Sequence, residues 1–158
     1  MKSSSPNGRE GGSEYNKLWN MASYLINRIS HRYNKNVHGE LKAIGLTTLN
    51  VRIVACLKTF EQLTINELCV HAIAEQPTMS RALDRLEQEG LVSRVIRDDD
   101  GRSRVVQLTP KGAAMYVDIM PVLRGANEDL LAALDPDERA QFMSLLTRVL
   151  KQIRENPI

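Results

Sequence analysis

The chain has 158 residues, which fits one domain by the usual ~100–200 residues per domain and is long enough to bury a core without staples. Hydrophobic residues make up 42%, charged residues 25% and aromatics only 4%, so the composition is that of an ordinary globular chain and argues against a base-stacking aromatic surface. Net charge is +2 and the two cysteines, Cys56 and Cys69, form no CxxC pair, which excludes a disulfide framework and a structural zinc site and leaves any basic footprint to placement.

Residues 1–13 are rich in Ser, Gly, Pro and Asn and read as a disordered tail with no apolar stretch of a signal peptide. No run of ~18 apolar residues follows, so no membrane partner is expected and the expected compartment is the cytoplasm. From Glu14 onward, Leu18, Met21, Leu25, Ile26, Ile29, Tyr33, Val37 and Leu41 recur at steps of mostly three and four. That spacing predicts one long helix ending at the turn around Gly45. Thr48 reads as the N-cap of a second helix. Thr64 and Glu67 have the spacing of a capping box and open a short third helix to about His71.

Glu75-Gln76-Pro77 opens the fourth helix, because proline at the first helical position costs no hydrogen bond. That helix runs to Glu89, with Gly90 after its end. The β-branched stretches 91–97 and 102–108 flank Asp100-Gly101, a strong hairpin signal. Thr109-Pro110 starts a fifth helix to about Ala133, with a bend expected at Pro121. Asp135-Pro136 starts the last, to about Glu155, whose apolar stripe is Phe142, Leu145, Leu146, Val149, Leu150 and Ile153. The fold class is therefore mainly α with a small β-hairpin wing (α+β), in the order α-α-α-α-β-β-α-α. Residues 47–109 form a winged helix-turn-helix domain, and 14–46 with 110–158 form a helical dimerisation region.

The fourth helix suggests the chemistry. At ~100° per residue, Met79, Ala82, Leu83 and Leu86 share an inward face. Pro77, Thr78, Ser80, Arg81, Asp84, Arg85 and Gln88 lie on the others. Short hydroxyl side chains let a helix approach a DNA major groove, and arginine pairs bidentately with guanine or phosphate. A helix N-terminus adds N–H donors and partial positive charge. Arg102 and Arg104 follow the hairpin turn, where a projecting arginine suits the narrow minor groove. Against this stands the charge balance of residues 64–112, seven basic and eight acidic, net −1. Binding there must rest on sorted charge, with the acids off the contact surface or orienting arginines.

Two segments, QPTMSRALDRLEQEGLVSR (76–94) and DGRSRVVQLTPKG (100–112), resemble the MarR family of bacterial transcriptional regulators. The wing pattern D-x-R-x-x-x-V-x-L-T-x-x-G is met by Asp100, Arg102, Val106, Leu108, Thr109 and Gly112. The recognition-helix pattern T-x-[ST]-R-x-x-D-R-L-E is met by Thr78, Ser80, Arg81, Asp84, Arg85, Leu86 and Glu87. The resemblance implies a winged-helix homodimer that binds double-stranded DNA at a pseudo-palindromic operator, as a repressor that a small aromatic or anionic effector releases. The DNA contacts so expected are Gln76, Pro77, Thr78, Ser80, Arg81, Arg85, Arg102 and Arg104, with Asp100 bracing the wing. Gly101 departs from relatives that carry a charged residue there, which leaves a second tip contact to Arg104.

Trp19, Tyr24, Arg28 and His31 on the first helix are the candidate effector-pocket residues, with Arg28 pairing an effector carboxylate. Both cysteines read as buried core thiols, and residues 14–25 hold no cysteine to sense peroxide. His31, His38 and His71 are too scattered to argue a metal site. No nucleophile-and-base pair, phosphate loop or paired carboxylates point to an enzyme, and no cofactor is expected. The competing class is a winged-helix protein-interaction module without specific DNA binding, favoured by the local charge of −1.

Overall fold

The computed structural model describes residues 17–96 and 104–153. The expected tail, the hairpin turn with Asp98, Asp99, Asp100, Gly101 and Arg102, and residues 154–158 lie outside them. Residues 1–35 and 36–158 form two units, and each is described by itself.

The helices are α1 (Ala22–Ala43), α2 (Thr48–Phe60), α3 (Ile65–His71), α4 (Gln76–Gln88), α5 (Pro110–Leu130) and α6 (Pro136–Ile153), and the strands are β1 (Gln62–Thr64), β2 (Val92–Ile96) and β3 (Arg104–Leu108). The expected order α-α-α-α-β-β-α-α therefore gains a strand between the second and third helices. β3 is the central strand of the antiparallel order β1-β3-β2. Leu63 pairs with Val106 on one side of it, and Arg94 pairs with Val106 on the other. Three residues cannot display a period of two, so β1 has no signature of its own.

Local boundaries follow the capping chemistry. The long first helix of the sequence reading is interrupted: residues 17–19 make a helical turn, and α1 starts only at Ala22. The N-cap of α2 is Thr47, one residue before the expected Thr48; Thr47 is extended and its Oγ1 accepts from Asn50 N at 3.1 Å. At Thr64 the capping box forms as expected, with Thr64 N donating to Glu67 Oε2 at 2.7 Å and Glu67 N donating to Thr64 Oγ1 at 3.3 Å. Asp135 and Glu138 cap α6 reciprocally at 2.9 Å each. α5 ends at Leu130 rather than Ala133 and continues helically through Pro121.

One core holds the second unit's winged-helix elements together. Ile53 and Leu57 of α2, Leu63, Leu68 and Ala72, Met79, Leu83 and Leu86 of α4, then Leu91, Val92 and Val106 form a single buried cluster. Burying a side chain of this size contributes roughly 1.5–3 kcal/mol. By contrast, α6 buries nothing among the described residues. No single helix is long and apolar enough to cross a membrane among the described residues.

Candidate nucleic-acid interface

α4 is fixed at its C-terminal end. Its N-cap, Glu75, is extended and makes no side-chain cap bond, and Pro77 occupies the first turn. Its C-terminus closes on Gly90 at φ +72°, where Leu91 N donates to Leu86 O at 2.8 Å and Gly90 N donates to Glu87 O at 2.9 Å. This is a Schellman termination, and it needs a residue free to adopt the left-handed region.

The start of α5 then grips that turn. Thr109 Oγ1 donates to Gly90 O at 2.7 Å, Thr109 N donates to Leu91 O at 3.1 Å, and Lys111 Nζ donates to Glu89 O at 2.7 Å. The carbonyls of Glu89, Gly90 and Leu91, three successive residues beyond the helix, are thereby satisfied. Gly112 closes against Leu91 so tightly that a Cβ would meet the Leu91 carbonyl oxygen at 2.0 Å.

With its C-terminal end held, α4 presents two distinct faces. Met79, Leu83 and Leu86 are fully buried, and Ala82 is half-buried against the same core. Gln76, Pro77, Thr78, Arg81 and Arg85 are exposed, and Ser80 is half-exposed. The inward set expected from the sequence is thus the observed one. Arg81 folds back along the helix, its Nε donating to Pro77 O at 3.1 Å. That bond uses the Nε–H of the guanidinium, one of its five donors. Arg85 pairs instead with Glu89, Nε to Oε1 at 2.8 Å.

Two of the acids on α4 share one arginine. Arg94 of β2 reaches back to α4, where its Nη2 lies 2.6 Å from Asp84 Oδ1 and its Nη1 bonds Glu87 Oε2. Its backbone N–H also donates to Glu87 Oε1 at 3.2 Å. Burial works against the Arg94 charge, but the hydrogen bond to Asp84 and the charges of Glu87 and Asp84 outweigh it and hold the group above the ordinary arginine value. Arg94 belongs to no local sequence signal. Its partners are ten and seven positions away, beyond any helical spacing rule.

Arg104 is the first residue of β3, paired with Ile96, and so belongs to the strand rather than the turn. With Ser80, Asp84 and Arg94 it lines a cleft of about 250 Å³ between α4 and the wing, completed by Ile65, Val105 and Val106. The structure thus brings Ser80 and Arg104 together, while Arg102 and Asp100 fall outside the described residues.

In the first unit, three of the four candidate effector residues meet. The rings of Trp19 and Tyr24 are edge-on at 6.4 Å, and the Arg28 guanidinium lies 5.8 Å from the Tyr24 ring centre. His31 is exposed further along the helix. The cysteines are half-buried rather than fully buried. Burial pushes both thiols up, opposed at Cys56 by Arg52 and reinforced at Cys69 by the charge of Glu75.

Comparison with known proteins agrees with this geometry. The MarR family model matches residues 46–103. A MarR-family transcriptional regulator from Silicibacter pomeroyi is 41% identical, with a TM-score of 0.82 over 89% of this chain and 95% of its own. A second MarR-family regulator from Silicibacter pomeroyi DSS is 30% identical, with a TM-score of 0.83 over 96% of this chain and 100% of its own. The transcriptional repressor Rv2887 of Mycobacterium tuberculosis is 29% identical over 80% of this chain and 91% of its own. With a winged helix, both sequence motifs and relatives matched along nearly their whole length, the chain belongs to the MarR family of transcriptional regulators.

Proposed function

We propose that the chain is a repressor that binds a pseudo-palindromic operator in double-stranded DNA as a homodimer. The observation that carries this reading is the division of α4. Met79, Leu83 and Leu86 anchor it in the core, while Gln76, Pro77, Thr78 and Arg81 stand exposed at its start. In this reading that start enters the major groove, with Ser80 and Arg85 beside it. Arg102 probes the minor groove, Asp100 braces the wing, and Arg104 supports the groove contacts from the strand. Residues 47–109 read the DNA. Residues 14–46 and 110–158 form the dimer, supported by the exposed apolar side chains Leu145, Val149, Leu150 and Ile153 on α6.

Repression is the role named for the relative Rv2887 of Mycobacterium tuberculosis. A small anionic aromatic effector would release the DNA, held by Trp19, Tyr24 and Arg28 with His31 nearby. The cytoplasm is the compartment such a regulator needs.

A selection from genomic fragments at ~150 mM salt with excess competitor DNA tests the reading. The wild-type chain is expected to enrich a short inverted repeat, and Arg81→Ala and Arg102→Ala to lose it. Light scattering is expected to give a dimer. A monomer, or enrichment that survives both substitutions, refutes the corresponding claim. No enrichment by the wild type refutes effector-free operator binding and favours the protein-interaction module.

A further inference from the structure

Arg94 is where the two parts of the proposed DNA face join. α4 carries Asp84 and Glu87 as well as Arg81 and Arg85, and a carboxylate within a Debye length, about 8 Å at physiological salt, repels phosphate. Asp84 lines the same cleft as Ser80 and Arg104. Both carboxylates are bonded by one guanidinium arriving from β2, whose side chain is only 23% exposed. A planar fork can serve two carboxylates at once, which a lysine ammonium does less well. The same contacts tie the first half of the wing to the helix it flanks.

We propose that Arg94 is a positioning residue for DNA binding: it holds the wing on α4 and offsets half the charge of Asp84 and Glu87 while fixing both carboxylates, so that Arg81 and Arg104 weigh more in the field the DNA meets. This rests on the DNA-binding reading above. Arg94 acts through its partners and needs no contact with DNA. The net −1 of residues 64–112 then sits in the Arg94, Asp84 and Glu87 trio, which leaves six basic and six acidic residues in the rest of the segment.

The test measures affinity against salt for the selected duplex and for an unrelated duplex of equal length, with the thermal midpoint of each variant. Arg94→Gln is expected to weaken operator binding roughly tenfold or more, by exposing two carboxylates. Adding Asp84→Asn and Glu87→Gln to that variant is expected to restore several-fold of the loss, and Arg94→Lys to fall between. In the wild-type background, Asp84→Asn with Glu87→Gln releases the Arg94 charge. Binding to the unrelated duplex then strengthens, with a salt slope steeper by about one unit. A folded Arg94→Gln chain that binds as tightly as wild type overturns the proposal, as does a triple variant as weak as the single one. If Arg94→Gln does not fold, an unchanged salt slope in the Asp84→Asn, Glu87→Gln chain overturns it. Failure of the wild-type chain to bind any duplex overturns the DNA-binding reading and this proposal with it. Wild-type binding with indifferent variants overturns this proposal alone.

Discussion

Gly112 and Leu91 approach so closely that a methyl group on residue 112 would lie 2.0 Å from the Leu91 carbonyl oxygen. The contact joins the start of α5 to the end of α4, and Thr109 and Lys111 bond the adjacent carbonyls. The orientation of the helix proposed to read DNA is thus tied to the helix that leads away from it.

Gly112→Ala is expected to destabilise the fold by about 2–4 kcal/mol, because a backbone atom cannot step aside as a side chain can. Gly39→Ala is the control. A Cβ there meets nothing within 4 Å, and the residue lies inside α1. Helix propensity then predicts a gain of roughly 0.5–1 kcal/mol. Urea unfolding of the two variants reads both signs, and equal effects would show the Leu91 contact to be unimportant.

Ile73, in the turn between α3 and α4, sits at φ +55° and is 76% exposed. A β-branched residue in the left-handed region costs ~1–2 kcal/mol, and so exposed a side chain recovers little of it by burial. Ile73→Gly is expected to stabilise by about 0.5 kcal/mol after the entropy of glycine is subtracted. A lower thermal midpoint in that variant would mean that the isoleucine makes a contact worth more than the strain.

Cys56 and Cys69 are expected to react slowly with iodoacetamide at neutral pH, since burial favours the protonated thiol. The linkage sign follows. The folded pKa values lie above those of the unfolded chain, so this contribution is complete below the unfolded thiol pKa. It is lost as pH rises from there through the folded value, in the alkaline range. Mild peroxide is expected to leave DNA affinity unchanged. Rapid labelling at neutral pH, or loss of affinity on oxidation, would establish a redox-sensitive site.

Most element ends were legible because they are local. Thr64 with Glu67, and Asp135 with Glu138, announce helix starts within four residues, and the bonds they promise are present. The inward face of α4 follows from helical spacing alone. Thr47 and Thr48 show the limit of such signals, since either threonine can cap and only backbone geometry chose the first.

What lay beyond the sequence reading depends on residues far apart in the chain. β1 exists because Leu63 meets Val106 across the sheet. The role of Arg94 exists because β2 returns along α4 and sets a guanidinium between Asp84 and Glu87. The requirement for glycine at 112 comes from the Leu91 carbonyl, although the residue itself was visible in a family pattern. Caps, turns and amphipathic faces are governed by the chain's own covalent geometry over a few residues, so they can be read in order. Ion pairs, strand partners and close backbone approaches are governed by distances in space, and those exist only after the core of α2, α3, α4 and the sheet has closed.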